Sequence, residues 1–235
     1  MGLHFVHSEP YLSEAQRLQG LKPTASMIGV MVYAEKEREL YYESELERRC
    51  ILKFMRDPAV ADIREQHTVT DYVDEHGKIH QHTWDLTVTY KNGLRELIFV
   101  KPLYRVLQRL QEEFYNTISD FVCPQVAETT RLITERDLPA DLIDLADICN
   151  IAMLAPPPHL ADQVFSLIQS SEEPLQVGEI VRNFVPKELH ASRRPELIAS
   201  AYWSVVLAVA RREAMLVSDG FFAMDSFVQQ QRIAA

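Results

Sequence analysis

The sequence predicts an α/β protein, with a mixed sheet flanked by helices in its core and a smaller, mostly helical domain at its C-terminus. Three observations carry this expectation. Helical and extended patterns follow one another from about residue 45 to residue 153 in the order α, β-β-β, α, β, α, which calls for a sheet covered by helices. A proline run at Pro156–Pro158 then breaks the chain and marks a linker. Finally, 235 residues of which 47% are apolar can bury one sizeable core and a second, smaller one.

Residues 1–26 are polar and aperiodic and read as an arm packed on the surface or on a partner. "MIGVMVY" from Met27 and "ELYYE" from Glu39 read as short strands. Ser44 offers an N-cap with Glu47 three residues on, so a capping box opens a helix that runs to Met55 and stops before Asp57-Pro58. Three antiparallel strands in meander order follow: "DIREQHTVTDYV" from Asp62, "IHQHTWDLTVTY" from Ile79 and "LRELIFVK" from Leu94, separated by the turn signals "DEHGK" and "KNG". Residues 103–120 have helical spacing, Val126 to Thr134 reads as a strand and Leu138 to Met153 as a helix. The core domain is thus expected over 27–155 and the C-terminal domain over 156–235. In the latter, helical stretches near 159–170, 176–185 and 195–212 lead to a hairpin with Asp219-Gly220 at its turn, which is the winged-helix order. A plain helical cap on the first domain is the alternative.

No stretch of about eighteen apolar residues occurs, and the N-terminus lacks the charged-then-apolar order of a signal peptide, so a cytosolic location is expected. Cys50, Cys123 and Cys149 lie far apart without a C-x-x-C pair, which argues against a disulfide framework and a zinc site. A net charge of −10 excludes strong non-specific nucleic-acid binding by the chain alone, because that affinity comes from Lys and Arg on phosphates. If the protein acts on DNA, a local basic patch or a partner must bring it there.

One constellation could carry chemistry. Alternation along the strand ending at Lys101 puts Arg95, Leu97, Phe99 and Lys101 on one face and Glu96, Ile98 and Val100 on the other. On the preceding strand Asp85 shares a polar face with Thr83, Thr87 and Thr89. Glu47 lies on the apolar stripe of its helix with Ile51, Phe54 and Met55, whereas Glu45 faces Arg48 and Arg49. A Glu on a helix, an Asp on one strand and a Lys on the next form the pattern of a metal-dependent phosphodiesterase. The carboxylates hold Mg²⁺, and the lysine positions or activates water. The spacing alone is weakly specific: capping explains Glu47 in part, and Lys101 could simply end its strand in solvent. His80 and His82 share a strand face near a hairpin and read as solvated or phosphate-facing rather than as a zinc site.

"YESELERRCILKFMRDPAVADIREQ" (Tyr42 to Gln66) followed by "TWDLTVTYKNGLRELIFVKP" (Thr83 to Pro102) closely resembles the TnsA endonuclease, a subunit of the Tns-type heteromeric bacterial transposase. The likeness extends through "TTRLITERDLPADLIDLADI" and covers roughly residues 27–225. It implies a restriction-endonuclease-like core of the PD-(D/E)xK type and a winged-helix-like C-terminal domain. It also implies a subunit that cuts the 5′ ends of transposon DNA beside an integrase-like transposase subunit that cuts and joins the 3′ ends, with an ATP-dependent regulator docking on the C-terminal part. Carried over by position, Glu47 and Asp85 become ligands of Mg²⁺ (or Mn²⁺) and Lys101 the catalytic lysine. The family's Glu or Gln ligand falls at Phe99, which has no lone pair to offer. Gln108, Gln111, Glu112 and Glu113 on the next helix are conceivable substitutes, although a polar helix face is the simpler explanation of them. Two outcomes fit this pattern: an endonuclease that tolerates Phe99, or a pseudonuclease kept for assembly and DNA binding.

Overall fold

The computed structural model describes residues 13, 15, 27–108, 110–157, 159–186 and 189–231. The arm expected over 1–26 lies outside the described residues apart from Ser13 and Ala15. The fold is mixed α/β, and the chain divides into two compact units, Met1–Pro139 and Ala140–Ala235.

The first unit opens with an antiparallel ribbon of β1 (Gly29–Tyr33) and β2 (Arg38–Tyr42), then α1 (Glu45–Arg56). Ser44 caps α1 through its side chain, which accepts the Glu47 N–H, and the helix buries Cys50, Ile51, Leu52, Phe54 and Met55. The main sheet holds β3 (Val60–Glu65), β6 (Leu86–Tyr90), β7 (Arg95–Val100) and β8 (Thr129–Ile133) in that spatial order. Its first three strands are antiparallel, and β8 runs parallel to β7, so the sheet is mixed. A separate antiparallel ribbon is made by β4 (Val69–Val73) and β5 (Ile79–Thr83), and α2 (Leu103–Val106) and α3 (Leu110–Asp120) connect β7 to β8.

The meander expected from the sequence is therefore modified. Each of its two long strands divides, one between Glu65 and Val69 and the other between Thr83 and Leu86, and four strands result where two were expected. The turns behave as their residues dictate. Gly93 adopts φ +88° in the β6–β7 hairpin, and Gly77 adopts φ +78° where the Asp74 carboxylate accepts the His76 and Lys78 N–H groups. Leu97, Ile98, Phe99 and Val100 are all buried, because β7 lies between two strands with both faces covered.

The second unit contains α4 (Ala140–Leu154), α5 (Ala161–Ser170), β9 (Leu175–Gln176), α6 (Val177–Asn183), α7 (Arg194–Ala210), β10 (Ala214–Leu216) and β11 (Phe227–Gln230). Its strands form an antiparallel sheet in the order β10-β11-β9. Ala201 and every residue from Ser204 to Ala210 are buried, so the C-terminal half of α7 is enclosed by the helices around it. The division falls before α4, not at the proline run. The reason is that α4 packs on α7 and contributes Cys149 and Ala152 to the core of this unit, whereas prolines only mark a local break in helix. The hairpin also differs: Gly220 turns at φ +87°, but the second strand begins only at Phe227, leaving Val217–Ser226 as a loop.

Candidate active site

The site begins at a bulge. The β3–β6 pair and the β4–β5 pair are two halves of one long hairpin, the first ending at Glu65 opposite Leu86 and the second starting at Val69 opposite Thr83. Between them Gln66, His67 and Thr68 stand against only Trp84 and Asp85. One extra residue must be absorbed, and it is absorbed by a β-bulge in which Gln66 takes φ +42°. The Gln66 N–H donates to the Asp85 carbonyl and the Trp84 N–H to the Thr68 carbonyl, both at 3.0 Å. The Trp84 indole N–H donates to Thr70 Oγ1 at 2.9 Å, and the hydroxyls of Thr68 and Thr87 lie 2.7 Å apart, which pins the bend from both sides. Asp85 is thereby held at the start of β6, where the long strand is interrupted.

Asp85 Oδ2 accepts the Val100 N–H at 2.7 Å and lies 3.5 Å from Lys101 Nζ. Burial raises the pKa of this carboxyl, and the Lys101 ammonium and the Val100 N–H oppose the rise. Glu47 sits at the third position of α1: its N–H donates to Ser44 Oγ (3.2 Å), its Oε1 accepts the Ser44 hydroxyl (2.9 Å) and its Oε2 accepts the Glu43 N–H (2.8 Å). The capping role read from the sequence is present, and it leaves lone pairs on both oxygens. Burial first, and the negative charge of Asp85 second, push the Glu47 carboxyl up to about 7. Glu47, Asp85 and Lys101 are thus brought together from a helix and two strands.

Phe99 does not stand in this polar group. It is 1% exposed and belongs to a cluster with Trp84, Leu97, Ile118 and Ala127, flanked by Phe114 and Tyr115 of α3. Its ring stacks on Tyr115 (centroids 6.1 Å apart), meets His82 edge-on at 5.4 Å and carries Lys101 Nζ 4.3 Å from its centroid. Of the polar residues of the following helix, Gln108, Glu112 and Glu113 are exposed and Gln111 is half-buried, and α3 presents Phe114, Tyr115 and Ile118 to this cluster.

His82 corrects a second reading. Far from being solvated, it packs edge-on against Trp84, Phe99 and Phe114, and among the described residues its buried Nε2 has no hydrogen-bond partner. Burial, aided by the Lys101 charge, lowers its pKa to about 4, so the ring is neutral near pH 7. His80 instead stacks on Tyr72, with Nε2 2.7 Å from Asp74 Oδ2. Alternation placed the two histidines on one face, but it could not show that one end of that face is covered by α3.

The donor set fits one divalent cation. Two neighbouring, largely covered carboxylates, with Glu47 driven towards protonation by burial and then by the Asp85 charge, are a pair that a cation would relieve. Mg²⁺ commonly takes one or two carboxylates and completes its shell with water and phosphate oxygens. Among the described residues no group of three or more His, Cys, Asp or Glu side chains is placed to hold a metal, so a site here has fewer charged ligands than a full carboxylate cage. No protein-family model matches the chain, and a search of curated proteins finds no match either. Among the described residues no helix is long and apolar enough to cross a membrane.

Proposed function

We propose that this chain is a TnsA-like subunit of a heteromeric DNA transposase, a Mg²⁺-dependent endonuclease that nicks the 5′ ends of the transposon. The observation that carries this reading is the convergence of Glu47, Asp85 and Lys101 at the bulge, with Lys101 Nζ 3.5 Å from the Asp85 carboxylate. Glu47 and Asp85 would hold the cation, Mg²⁺ or Mn²⁺, whose chemistry is to polarise the scissile phosphate and stabilise the leaving oxygen. Lys101, held between Asp85 and the Phe99 ring, would donate to the attacking water or to a phosphate oxygen. The mixed sheet, with a helix before it and a parallel last strand, agrees with a restriction-endonuclase-like core.

The second unit supports the partner side of this reading. Its order α5, β9, α6, α7, β10, β11, with a loop between the last two strands, is compatible with a winged helix. The middle of α7 is buried and that loop exposes Phe221 and Met224, a surface suited to a protein partner such as an ATP-dependent transposition regulator rather than to base reading. An integrase-like transposase subunit would supply the remaining chemistry at the DNA ends.

The test is nicking of transposon-end DNA by the full chain with its partner subunits in Mg²⁺ or Mn²⁺. Loss of cutting in Asp85→Ala supports the proposal, and cutting that persists in this variant overturns the site. The second reading is a catalytically inactive assembly subunit, favoured by one observation: Phe99 is built into an aromatic cluster at the position of a family ligand. It expects stable complexes with partners and DNA without cleavage, and a fully active wild type would exclude it.

A further inference from the structure

Gln66 is a costly residue where it stands. Its φ of +42° is a left-handed conformation that is unfavourable for a non-glycine residue. The residue is 4% exposed, and among the described residues its buried Oε1 has no hydrogen-bond partner, which leaves a desolvated acceptor unsatisfied. Both costs fall on the residue whose backbone N–H is bonded to Asp85, and which stands across the ribbon from it when the Glu65–Leu86 register is extended by one step. Residues directly opposite in an antiparallel pair are near neighbours. A structural role would call for an apolar side chain, or for glycine at this φ. An amide carbonyl calls for something to accept.

We propose that the side-chain carbonyl of Gln66 is a protein oxygen ligand of the divalent cation at Glu47 and Asp85, supplying from β3's end the donor that Phe99 cannot supply from β7. This inference rests on the reading of that pair as a cation site. An amide oxygen is a hard, neutral donor of the kind Mg²⁺ and Mn²⁺ accept. It adds a ligand without adding a charge to a site that already holds two carboxylates. The helix residues Gln108, Glu112 and Glu113 are exposed and Gln111 is half-buried, whereas Gln66 is 4% exposed.

The experiment is Mn²⁺ binding to the full chain by titration calorimetry, with the Mn²⁺-induced rise in melting temperature as a second readout. Wild type, Gln66→Leu, Gln66→Glu and Asp85→Asn are compared. Gln66→Leu should weaken Mn²⁺ binding by about tenfold or more while leaving the metal-free melting temperature equal or higher, and Gln66→Glu should tighten binding, because affinity follows ligand number and charge. Wild-type affinity in Gln66→Leu, with binding lost in Asp85→Asn, overturns the role of Gln66 and leaves the cation site standing. If wild type binds no Mn²⁺, both fall. Should Gln66→Leu not fold, unchanged affinity in Gln66→Glu is enough to overturn the proposal.

Discussion

Lys101 Nζ lies 3.5 Å from Asp85 Oδ2, and both side chains are largely removed from solvent, at 24% and 14% exposure. An ion pair in this setting is worth less than the damage done by removing half of it, because the remaining charge keeps its desolvation penalty. Lys101→Met should therefore lower stability by about 1–3 kcal/mol in urea unfolding at pH 7. The double variant Lys101→Met/Asp85→Asn should recover part of that loss, and strict additivity of the two changes would show that the pair is not coupled. Nicking, where present in wild type, should vanish in both single variants.

Phe99 is the largest buried side chain near the site apart from Trp84, and it fills the space between α3 and the sheet. Phe99→Ala should cost about 3–4 kcal/mol, read as a shift in the urea midpoint. Phe99→Gln, which introduces a side chain able to coordinate a cation, should also destabilise, because its amide enters an aromatic cluster. A Phe99→Gln variant as stable as wild type would mean that the pocket opens to the polar side.

His82 gives stability a pH dependence. Its folded-state value of about 4 lies below the ordinary histidine value near 6.5, so the fold favours the neutral ring. The associated stability is present above pH 6.5 and is lost as pH falls through 4, by up to about 3 kcal/mol. Glu47, raised mainly by burial to about 7, and Glu65, also raised by burial, act in the opposite sense. The comparison that isolates His82 is thus wild type against His82→Leu at pH 7 and pH 4.5, and the variant should lose less on acidification. An equal loss in both proteins would remove His82 as the cause.

Much of this was legible in residue order. The Ser44 cap, the "KNG" turn and the alternation along β7 are local signals, and each has a local structural counterpart. The bulge was not read, although "EQHT" against "TWD" places an extra residue in one strand, because pairing register belongs to two strands at once. The same limit hid Gln66 and the burial of His82, which depend on what α3 and the opposite strand bring near. The division at Ala140 was missed for a similar reason: the membership of α4 is decided by its apolar contacts with α7, more than fifty residues downstream.

Ser44 serves α1 and Glu47 together. Ser44→Ala removes the acceptor for the Glu47 N–H and the donor to Glu47 Oε1, and should cost about 1 kcal/mol in thermal or urea unfolding. Ser44→Asp, which keeps an acceptor at the cap but sets a like charge against Glu47, should recover only part of it.

Gly178 is fixed by close approach. Its N–H donates to the Met224 carbonyl at 2.7 Å, and an added Cβ would lie 2.9 Å from that same oxygen. Gly178→Ala should therefore destabilise the second unit by about 1–3 kcal/mol, although alanine is ordinarily the better helix former. A stabilised variant, measured by thermal unfolding, would show that the loop yields easily.

The aromatic setting of Phe99 makes a charged residue hard to place there. A carboxylate introduced at that position by a single mutation would meet the rings of His82, Phe114 and Tyr115, and its first effect would be a loss of folding. A charged side chain at this position requires prior changes on α3 or β5. Position 99 is therefore entrenched: its neighbours, more than the chemistry of the site, decide which residues selection can place there.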